Sequence, residues 1–353
     1  MDSRLRNLLY TFLMWHPARI KTFVEIIFAV IKSRTVVIKD IAVHVKAKGN
    51  LHSKIRKVER LFLNQHFEFE EISKIILSLL SLKEGIIIAI DRTNWKFGNK
   101  NLNFFVAAII YQNISIPIAC LLLDKQGNSS TYERKLLIEK VLGIIPKNKI
   151  MVMLADREFI GDDWLKYLSE NDIPFAIRIK KSEQIRHYNG GEMKLCKFFS
   201  NMMINQSYSQ KTRIYSGIEI NLTCLNLKNE QLFIVSNIFI GQEALWAYKK
   251  RWGIERTFKS IKSSGFNIED THIVDLKKLE KLFAIVSLAL TICVIVGDIK
   301  NTIIPIKNKN HGRKIYSLFT YGFDFLKEYF NDKKDKNIKK ISAILKKLIL
   351  EAT

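Results

Sequence analysis

The stretch that decides the fold is GIIIAIDRTNW at residues 85–95, a short apolar run that ends in charged residues. Two more apolar runs follow, LNFFVAAIIYQN at 102–113 and SIPIACLLLDK at 115–125, and the short Asn-Ile-Ser connection between them suits a hairpin. Beyond them, the pattern predicts in turn a helix, a strand, a helix and a strand, at 131–143, 149–159, 162–172 and 173–181. The order β-β-β-α-β-α-β predicts an α/β sheet covered by helices, in which three antiparallel strands precede parallel crossovers.

Two aspartates stand at the ends of strands predicted in this way. Asp91 closes the first strand, and Asp156, in the stretch ADREF, closes the fourth. If these strands are neighbours, both carboxylates emerge at the carboxyl edge of the sheet, where α/β proteins bind ligands. An aspartate after a strand is also a common turn former or helix cap, so each one alone favours a structural role. Each is followed by an arginine, Arg92 or Arg157, and this repetition at matching strand ends favours a functional site.

A polar helical face is predicted in AYKKRWGIERTFKSIKSSGF at residues 247–266. An α-helix turns by about 100° per residue, so residues spaced Y-x2-R-x3-E-x6-K fall within about 60° of one another. These residues are Tyr248, Arg251, Glu255 and Lys262. One carboxylate beside two cations and a phenol suits the joint binding of a metal ion and DNA phosphates. Two structural alternatives stay open: Arg251 and Glu255 have the spacing of an ordinary helical salt bridge, and Tyr248 could be a core aromatic residue, as could Trp252.

Residues 1–82 have helical periodicity with basic patches and predict an all-α domain. Within it, an apolar helix at 36–45, a turn at Gly49-Asn50 and a helix from about residue 51 are compatible with a helix-turn-helix that reads a DNA groove. A solvated basic face is the simpler alternative. The DNA-binding candidates on the second helix are Lys54, Arg56, Lys57 and Arg60.

The second half of the chain adds three segments. Residues 181–231 are polar and contain glycines, and they predict a β-rich insertion into the sheet domain, which spans 83–298. The apolar run within 282–298 is about 16 residues long, shorter than the ~20 that span a bilayer, so it predicts a buried core helix. The basic region 299–353 has a helical pattern near its end, IKKISAILKKLILEA, whose charges favour a solvated face over a dimer or DNA-backbone contact.

The net charge of the chain favours a polyanionic partner. Its 353 residues include 57 Lys and Arg against 34 Asp and Glu, a formal net charge of +23. Such an excess attracts nucleic acid, although a solvated basic surface accounts for it equally well. Four scattered cysteines without paired spacing argue against a zinc or disulfide framework and favour a reducing cytoplasm.

Taken together, DRTNW at Asp91, ADREF at Asp156 and the spaced residues from Tyr248 to Lys262 resemble the DDE transposases of bacterial insertion sequences, specifically the insertion-sequence four family. The resemblance covers residues 85–296. It implies an RNase H-like mixed-sheet catalytic core with a β-rich insertion, preceded by an all-α domain and followed by a helical C-terminal region. It also implies a cut-and-paste enzyme that acts on terminal inverted repeats and target DNA, through a hairpin intermediate and a synaptic homodimer, in the bacterial cytoplasm at the nucleoid.

The resemblance implies that Asp91, Asp156 and Glu255 are catalytic metal ligands. Two Mg²⁺ ions, for which Mn²⁺ can substitute, would suit three acids, because hard cations prefer carboxylate oxygens. Asp91 would bridge both ions. Arg251 and Lys262 would hold the phosphates of a DNA end, together with Tyr248. Two other functions stay open: a metal-dependent DNA nuclease on the same fold, and a DNA-binding regulator derived from a transposase.

Overall fold

A mixed β-sheet runs through the part of the chain that the structure, a computed structural model, describes. That part is residues 2–331 without 47–48, 65, 83, 99, 187–190, 215–216 and 311. Its strands are β1 Ile86–Phe97, β2 Lys100–Tyr111, β3 Ile114–Leu123, β4 Ile150–Ala155, β5 Phe175–Ile179, β6 Gln184–Arg186, β7 Glu192–Lys194, β8 Ser207–Ile214, β9 Ile218–Asn226 and β10 Gln231–Ser236. Across the sheet the order is β3-β2-β1-β4-β5-β10-β9-β8-β6-β7.

Helices precede, cover and follow this sheet. The first five are α1 Asp2–Leu13, α2 Pro17–Ser33, α3 Ile38–His44, α4 Leu51–Asn64 and α5 Phe69–Leu80. The others are α6 Thr131–Leu142, α7 Asp162–Glu170, α8 Leu195–Phe198, α9 Gln242–Lys249, α10 Trp252–Lys262, α11 Leu276–Ile303 and α12 Leu318–Asn331. The mixed α/β class predicted from the sequence is confirmed, and the helical tail predicted at 338–352 lies outside the described residues.

The first five strands follow the predicted order. β1, β2 and β3 form an antiparallel meander, and the two-residue turn between β2 and β3 places Gln112 and Asn113 at φ 48° and 62°. A turn with two left-handed residues matches the right-handed twist of the flanking strands. α6 and α7 then return the chain so that β4 lies parallel to β1, and β5 parallel to β4. The carboxyl ends of β1 and β4 therefore meet at one edge.

The predicted β-rich insertion continues the same sheet. β6 to β9 and the short α8 lie between β5 and β10, and β10 pairs antiparallel with both β5 and β9. β10 thus joins the insertion to the central strands. The chain leaves β10 and enters α9 directly, so the insertion does not separate the central sheet from the helices that follow it.

The hydrophobic core runs from the N-terminal helices through the sheet. Phe283 of α11 contacts Phe69 of α5 and Phe104 of β2, with ring centres 5.8 and 4.9 Å apart. α11 is long and apolar enough to cross a membrane, but 83% of its most apolar window is buried inside the protein. It is the buried core helix that the sequence predicts. The domain boundaries predicted after residues 82 and 298 stay predictions, since the hydrophobic core continues across both of them.

Candidate active site

Asp91 lies inside β1 rather than at its end, which corrects the sequence-based prediction. After Asp91 the strand still pairs with β2 as far as Phe97 and Lys100. Its parallel pairing with β4, in contrast, stops at Ala89 and Leu154. Asp91 therefore stands at the edge of the parallel part of the sheet, while the β1–β2 hairpin projects beyond it.

Asp156 follows β4 directly, as predicted, and β4 is the neighbour of β1. Asp91 and Asp156 each accept the backbone N–H of the arginine that follows, Arg92 or Arg157, at 2.8 Å. The hydroxyl of Tyr248 donates to Asp156 at 3.2 Å. The two aspartates therefore share one edge of the sheet, and each is oriented by a local hydrogen bond.

The single helix predicted to carry Glu255 is two helices. α9 ends at Lys249 and α10 begins at Trp252, and between them the N–H of Arg251 bonds to the carbonyl of Tyr248 at 2.9 Å. A three-residue step replaces the four-residue step of an α-helix at this point. Because the interruption only tightens one turn, Tyr248, Arg251 and Glu255 still face the aspartates.

The guanidinium group of Arg251 is shared by the three acids. It lies 3.2 Å from a carboxylate oxygen of Asp91 and 3.9 Å from one of Asp156. It also donates to Glu255, which is the helical salt bridge expected as the structural alternative. The Arg251 side chain is only 6% exposed, and it packs beside the ring of Tyr248. Carboxylates from three separate segments therefore converge on one buried positive charge.

Burial sets the proton affinities in this cluster. It raises the pKa of Asp91 to about 6, and the nearby Arg251 opposes this rise only in part. Burial acts to lower the pKa of Arg251, but the negative charges of Tyr248, once it ionises at high pH, and of the aspartates outweigh it and raise that pKa above its ordinary value. Burial also raises the pKa of Tyr248, so its hydroxyl stays protonated at neutral pH and donates to Asp156.

The donor chemistry of the cluster fits a hard divalent cation. Its donors are carboxylate oxygens, and they already enclose a positive charge. Within the described ranges, no three His, Cys, Asp or Glu side chains are close enough to hold a metal ion together. The guanidinium of Arg251 stands among these carboxylates instead. An ion held jointly by Asp91, Asp156 and Glu255 therefore requires Arg251 to move aside.

The acids line an open cleft of about 880 Å³ that also contains several basic residues. Lys262, predicted to bind a phosphate, lines the cleft, but its Nζ lies 2.7 Å from a carboxylate oxygen of Glu269 and donates to the carbonyl of Asn94 at 2.8 Å. Lys96 and Lys259 line the same cleft, are exposed, and form no salt bridge with any residue that the structure describes. The sequence-based prediction does not include these two lysines.

A second polar network beside the acids is also missing from that prediction. The side chain of Arg92 forms two bonds with the carboxylate of Glu158, at 3.1 and 2.6 Å. Arg134 of α6 is 6% exposed and donates to the carbonyls of Glu158 and Ile160, at 2.9 and 3.1 Å. Together these bonds attach the segment after Asp156 to β1 and α6. The sequence could have indicated Glu158, because this acid stands two residues after Asp156 in ADREF. It could not have indicated the role of Arg134, because the partners of Arg134 are backbone carbonyls that no residue pattern specifies.

The predicted helix pair of the N-terminal region is present as α3 and α4. One of its four DNA-binding candidates is engaged within the protein: Nζ of Lys57 lies 2.8 Å from a carboxylate oxygen of Glu25 and 2.9 Å from the carbonyl of Lys46. Its charge is therefore already neutralised. DNA binding by the others stays a prediction, and they are Lys54, Arg56 and Arg60, of which the two arginines are exposed.

A mixed sheet with carboxylates gathered at one edge is consistent with a nuclease-like enzyme. Residues 83–292, more than half of the chain, match the transposase DDE domain, and the chain therefore belongs to the DDE transposase family. A comparison with curated proteins finds no match. Among solved structures, the chain is similar to the catalytic domain of human endonuclease V, with 13% identity and a TM-score of 0.32, over 62% of this chain and 98% of that one.

Proposed function

We propose that the chain is a transposase of the insertion-sequence four type, which cuts DNA at the ends of its element and joins the freed 3′-hydroxyls to target DNA. The observation that carries this proposal is the convergence of Asp91, Asp156 and Glu255 on one buried guanidinium. Family membership supports transposase activity in general terms. The strand order β3-β2-β1-β4-β5, with a β-rich insertion before Glu255, supports an RNase H-like core.

The three acids would hold two divalent ions, Mg²⁺ or Mn²⁺. Such ions, when bound, stabilise the attacking and leaving oxygens of a phosphodiester displacement. The chain's own residues orient the acids: Tyr248 donates to Asp156, and the backbone N–H of Arg92 donates to Asp91. Arg251, once it leaves the carboxylates, presents two parallel donors that match a phosphate of the DNA end.

The proposal includes a hairpin intermediate, for which a base leaves the DNA stack and packs on an aromatic ring. A tryptophan that stacks on a DNA base must be exposed, and only some of the tryptophans of the chain are. Trp95 and Trp164 are 8% and 0% exposed and pack in the core, whereas Trp246 and Trp252 are 51% and 61% exposed. Trp246 and Trp252 flank the turn that carries Arg251. We therefore assign the stacking role to one of these two residues.

The proposed partners are double-stranded DNA, namely the terminal inverted repeats and the target, and a second copy of the chain in a synaptic dimer. The net charge of +23 supports a polyanionic partner. The N-terminal helix pair α3 and α4 is proposed to recognise the repeats, with the exposed Arg56 and Arg60 as base or phosphate contacts. The proposed location is the bacterial cytoplasm, at the nucleoid.

Cleavage of DNA that carries the repeats flanking the gene tests the function. Glu255→Gln removes one charged oxygen ligand and is expected to slow end cleavage in Mg²⁺ by about 10²- to 10³-fold, the effect of losing several kcal/mol of charge stabilisation. Glu139→Gln is the matched control, since Glu139 is an exposed glutamate of α6 that does not line the cleft. Unimpaired cleavage by Glu255→Gln would overturn the assignment. Cleavage without joining would favour a nuclease, and binding without cleavage a regulator.

A further inference from the structure

We propose that the polar face of the β1–β2 hairpin beyond Asp91, together with the facing side of α10, binds one strand of the DNA that passes the three acids. Lys96 and Lys259 are its phosphate contacts, and Asn103 is a hydrogen-bond acceptor for the bound strand. The inference rests on the proposed function, because it assigns a further part of the DNA path to the same cleft.

The projecting hairpin has two chemically different faces. Cross-strand partners share a face of a sheet, and the register pairs Trp95 with Leu102 on one face. On that face Trp95 stacks on Phe104 with ring centres 4.8 Å apart, and all three side chains are buried. On the other face, Arg92 pairs with the buried Phe105, and the described residues beyond this pair are polar. The polar side chains of this face all lie in the wall of the cleft: Arg92, Asn94, Lys96, Asn101 and Asn103. The hairpin therefore packs on the core with one side and offers the other to a polar ligand.

The distribution of charge around the cleft favours the binding of DNA phosphates at two positions. Arg92, Lys125 and Lys262 each form a salt bridge with an acid, at 2.6, 2.7 and 2.7 Å. Lys96 and Lys259 are exposed and form no salt bridge with any residue in the described part of the chain. Their charges are the ones that a DNA backbone can neutralise with release of counterions and without breaking an ion pair.

A buried acceptor lies on the same face. Asn103 is 3% exposed, and its amide nitrogen reaches the carbonyls of Lys125 and Gly127 at 3.4 Å. Its Oδ1 is buried and has no hydrogen-bond partner among the residues that the structure describes. An unpartnered acceptor of this kind destabilises a protein unless a ligand supplies the donor. The bases of DNA supply N–H donors, so a base of the bound strand satisfies the acceptor that the folded chain leaves unpaired.

Binding of a fluorescein-labelled duplex of mixed sequence to the full chain, measured by anisotropy in EDTA over a range of salt, tests this surface without any cleavage. Each of Lys96→Gln and Lys259→Gln is expected to reduce the slope of log affinity against log salt by about 0.9, the value for one lost phosphate contact. Lys228→Gln is the matched control, because Lys228 is an exposed lysine outside the cleft. It is expected to leave the slope unchanged.

Asn103→Leu tests the contribution of the Asn103 acceptor to binding separately from that of the two lysine charges. It is expected to weaken binding about fivefold at every salt concentration, which corresponds to one lost hydrogen bond, and to leave the slope unchanged. Its melting temperature shows whether the hairpin still folds. If both lysine variants keep the slope of the unaltered chain, the inference is wrong while the proposed function stands. If the unaltered chain binds no DNA, the proposed function fails, and this inference fails with it.

Discussion

The side chain of Arg251 bonds to the carboxylate of Asp91 at 3.2 Å across 160 residues of sequence. The same guanidinium reaches Asp156 and Glu255, so one residue supplies the positive charge that balances acids from three segments. Three carboxyl groups share this single positive charge, so they can bind a divalent ion as well. Because the guanidinium already occupies their oxygens, a divalent ion and Arg251 compete for the same oxygens, and this competition can be measured without DNA.

Arg251→Gln is expected to lower the free energy of unfolding in EDTA by about 3 kcal/mol, because it leaves partly buried carboxylates without a counter-charge. The same variant is expected to gain more thermal stability from Mn²⁺ than the unaltered chain does, since no guanidinium then has to be displaced. Differential scanning fluorimetry with a Mn²⁺ titration measures both effects. Arg256→Gln is the control, because the exposed side chain of Arg256 donates to the carbonyl of Asn113 and forms no salt bridge with any described residue. Equal Mn²⁺ responses in all three proteins would contradict the competition.

The raised pKa of Asp91 predicts a pH dependence of stability. Between about pH 4 and 6 the folded protein binds a proton at Asp91 that the unfolded chain has released, so the free energy of unfolding falls as pH rises through this window. A rise of the pKa from 3.8 to about 6 corresponds to about 3 kcal/mol. Urea denaturation in EDTA at a series of pH values measures the difference between the unaltered chain and Asp91→Asn. That difference should fall from pH 4 to 6 and stay level above; a constant difference would show that Asp91 titrates normally.

The central topology could be predicted because its signals are local. Short apolar runs bounded by turns predicted β1 to β5, and the charge that ends the fourth run placed Asp156 at a strand end. The extent of β1 could not be predicted in the same way. The composition of DRTNWKF is mostly polar, yet buried and exposed side chains alternate along it. Thr93 and Trp95 are buried, whereas Asn94 and Lys96 are exposed. Alternation over so few residues is a weak signal beside its charged composition.

The contacts of the site depend on the tertiary structure, so their prediction from sequence was incomplete. The spacing of Tyr248, Arg251 and Glu255 correctly predicted a shared face. It could not show that the helix is interrupted after Lys249, because the nearest glycine, Gly253, lies four residues further on, inside α10. Nor could it show that Lys262 is paired, since its partner Glu269 lies beyond the end of α10. Long-range pairing decides which cations are free to bind DNA.

Arg134→Lys is expected to loosen the segment that carries Asp156. A lysine keeps the positive charge but cannot replace the planar donors that reach the carbonyls of Ser129, Glu158 and Ile160. We expect a loss of about 1–3 kcal/mol in the free energy of unfolding, because buried and partly buried carbonyls lose their donors. A weaker response to Mn²⁺ should accompany it, a change that general destabilisation alone would not cause. Tyr132→Ala on the same helix, at a 70% exposed position, should change neither quantity.

The contact between α11 and α12 depends on two glycines. A Cβ atom at Gly322 would lie 1.9 Å from the carbonyl oxygen of Cys293, and one at Gly297 would lie 1.9 Å from that of Leu318. Both obstacles are backbone atoms in helices, so the helices must separate to admit a methyl group.

Gly322→Ala is therefore expected to lower the free energy of unfolding by about 1–3 kcal/mol, the usual cost of overpacking, even though alanine favours a helix over glycine by about 1 kcal/mol. Gly191→Ala is the control, because a Cβ there meets no atom of the described residues within 4 Å and its φ lies outside the left-handed region. Chemical denaturation of both variants measures the two costs. A Gly322→Ala protein as stable as the unaltered chain would show that α12 does not pack against α11 at this distance, since helix propensity can offset only part of a backbone collision.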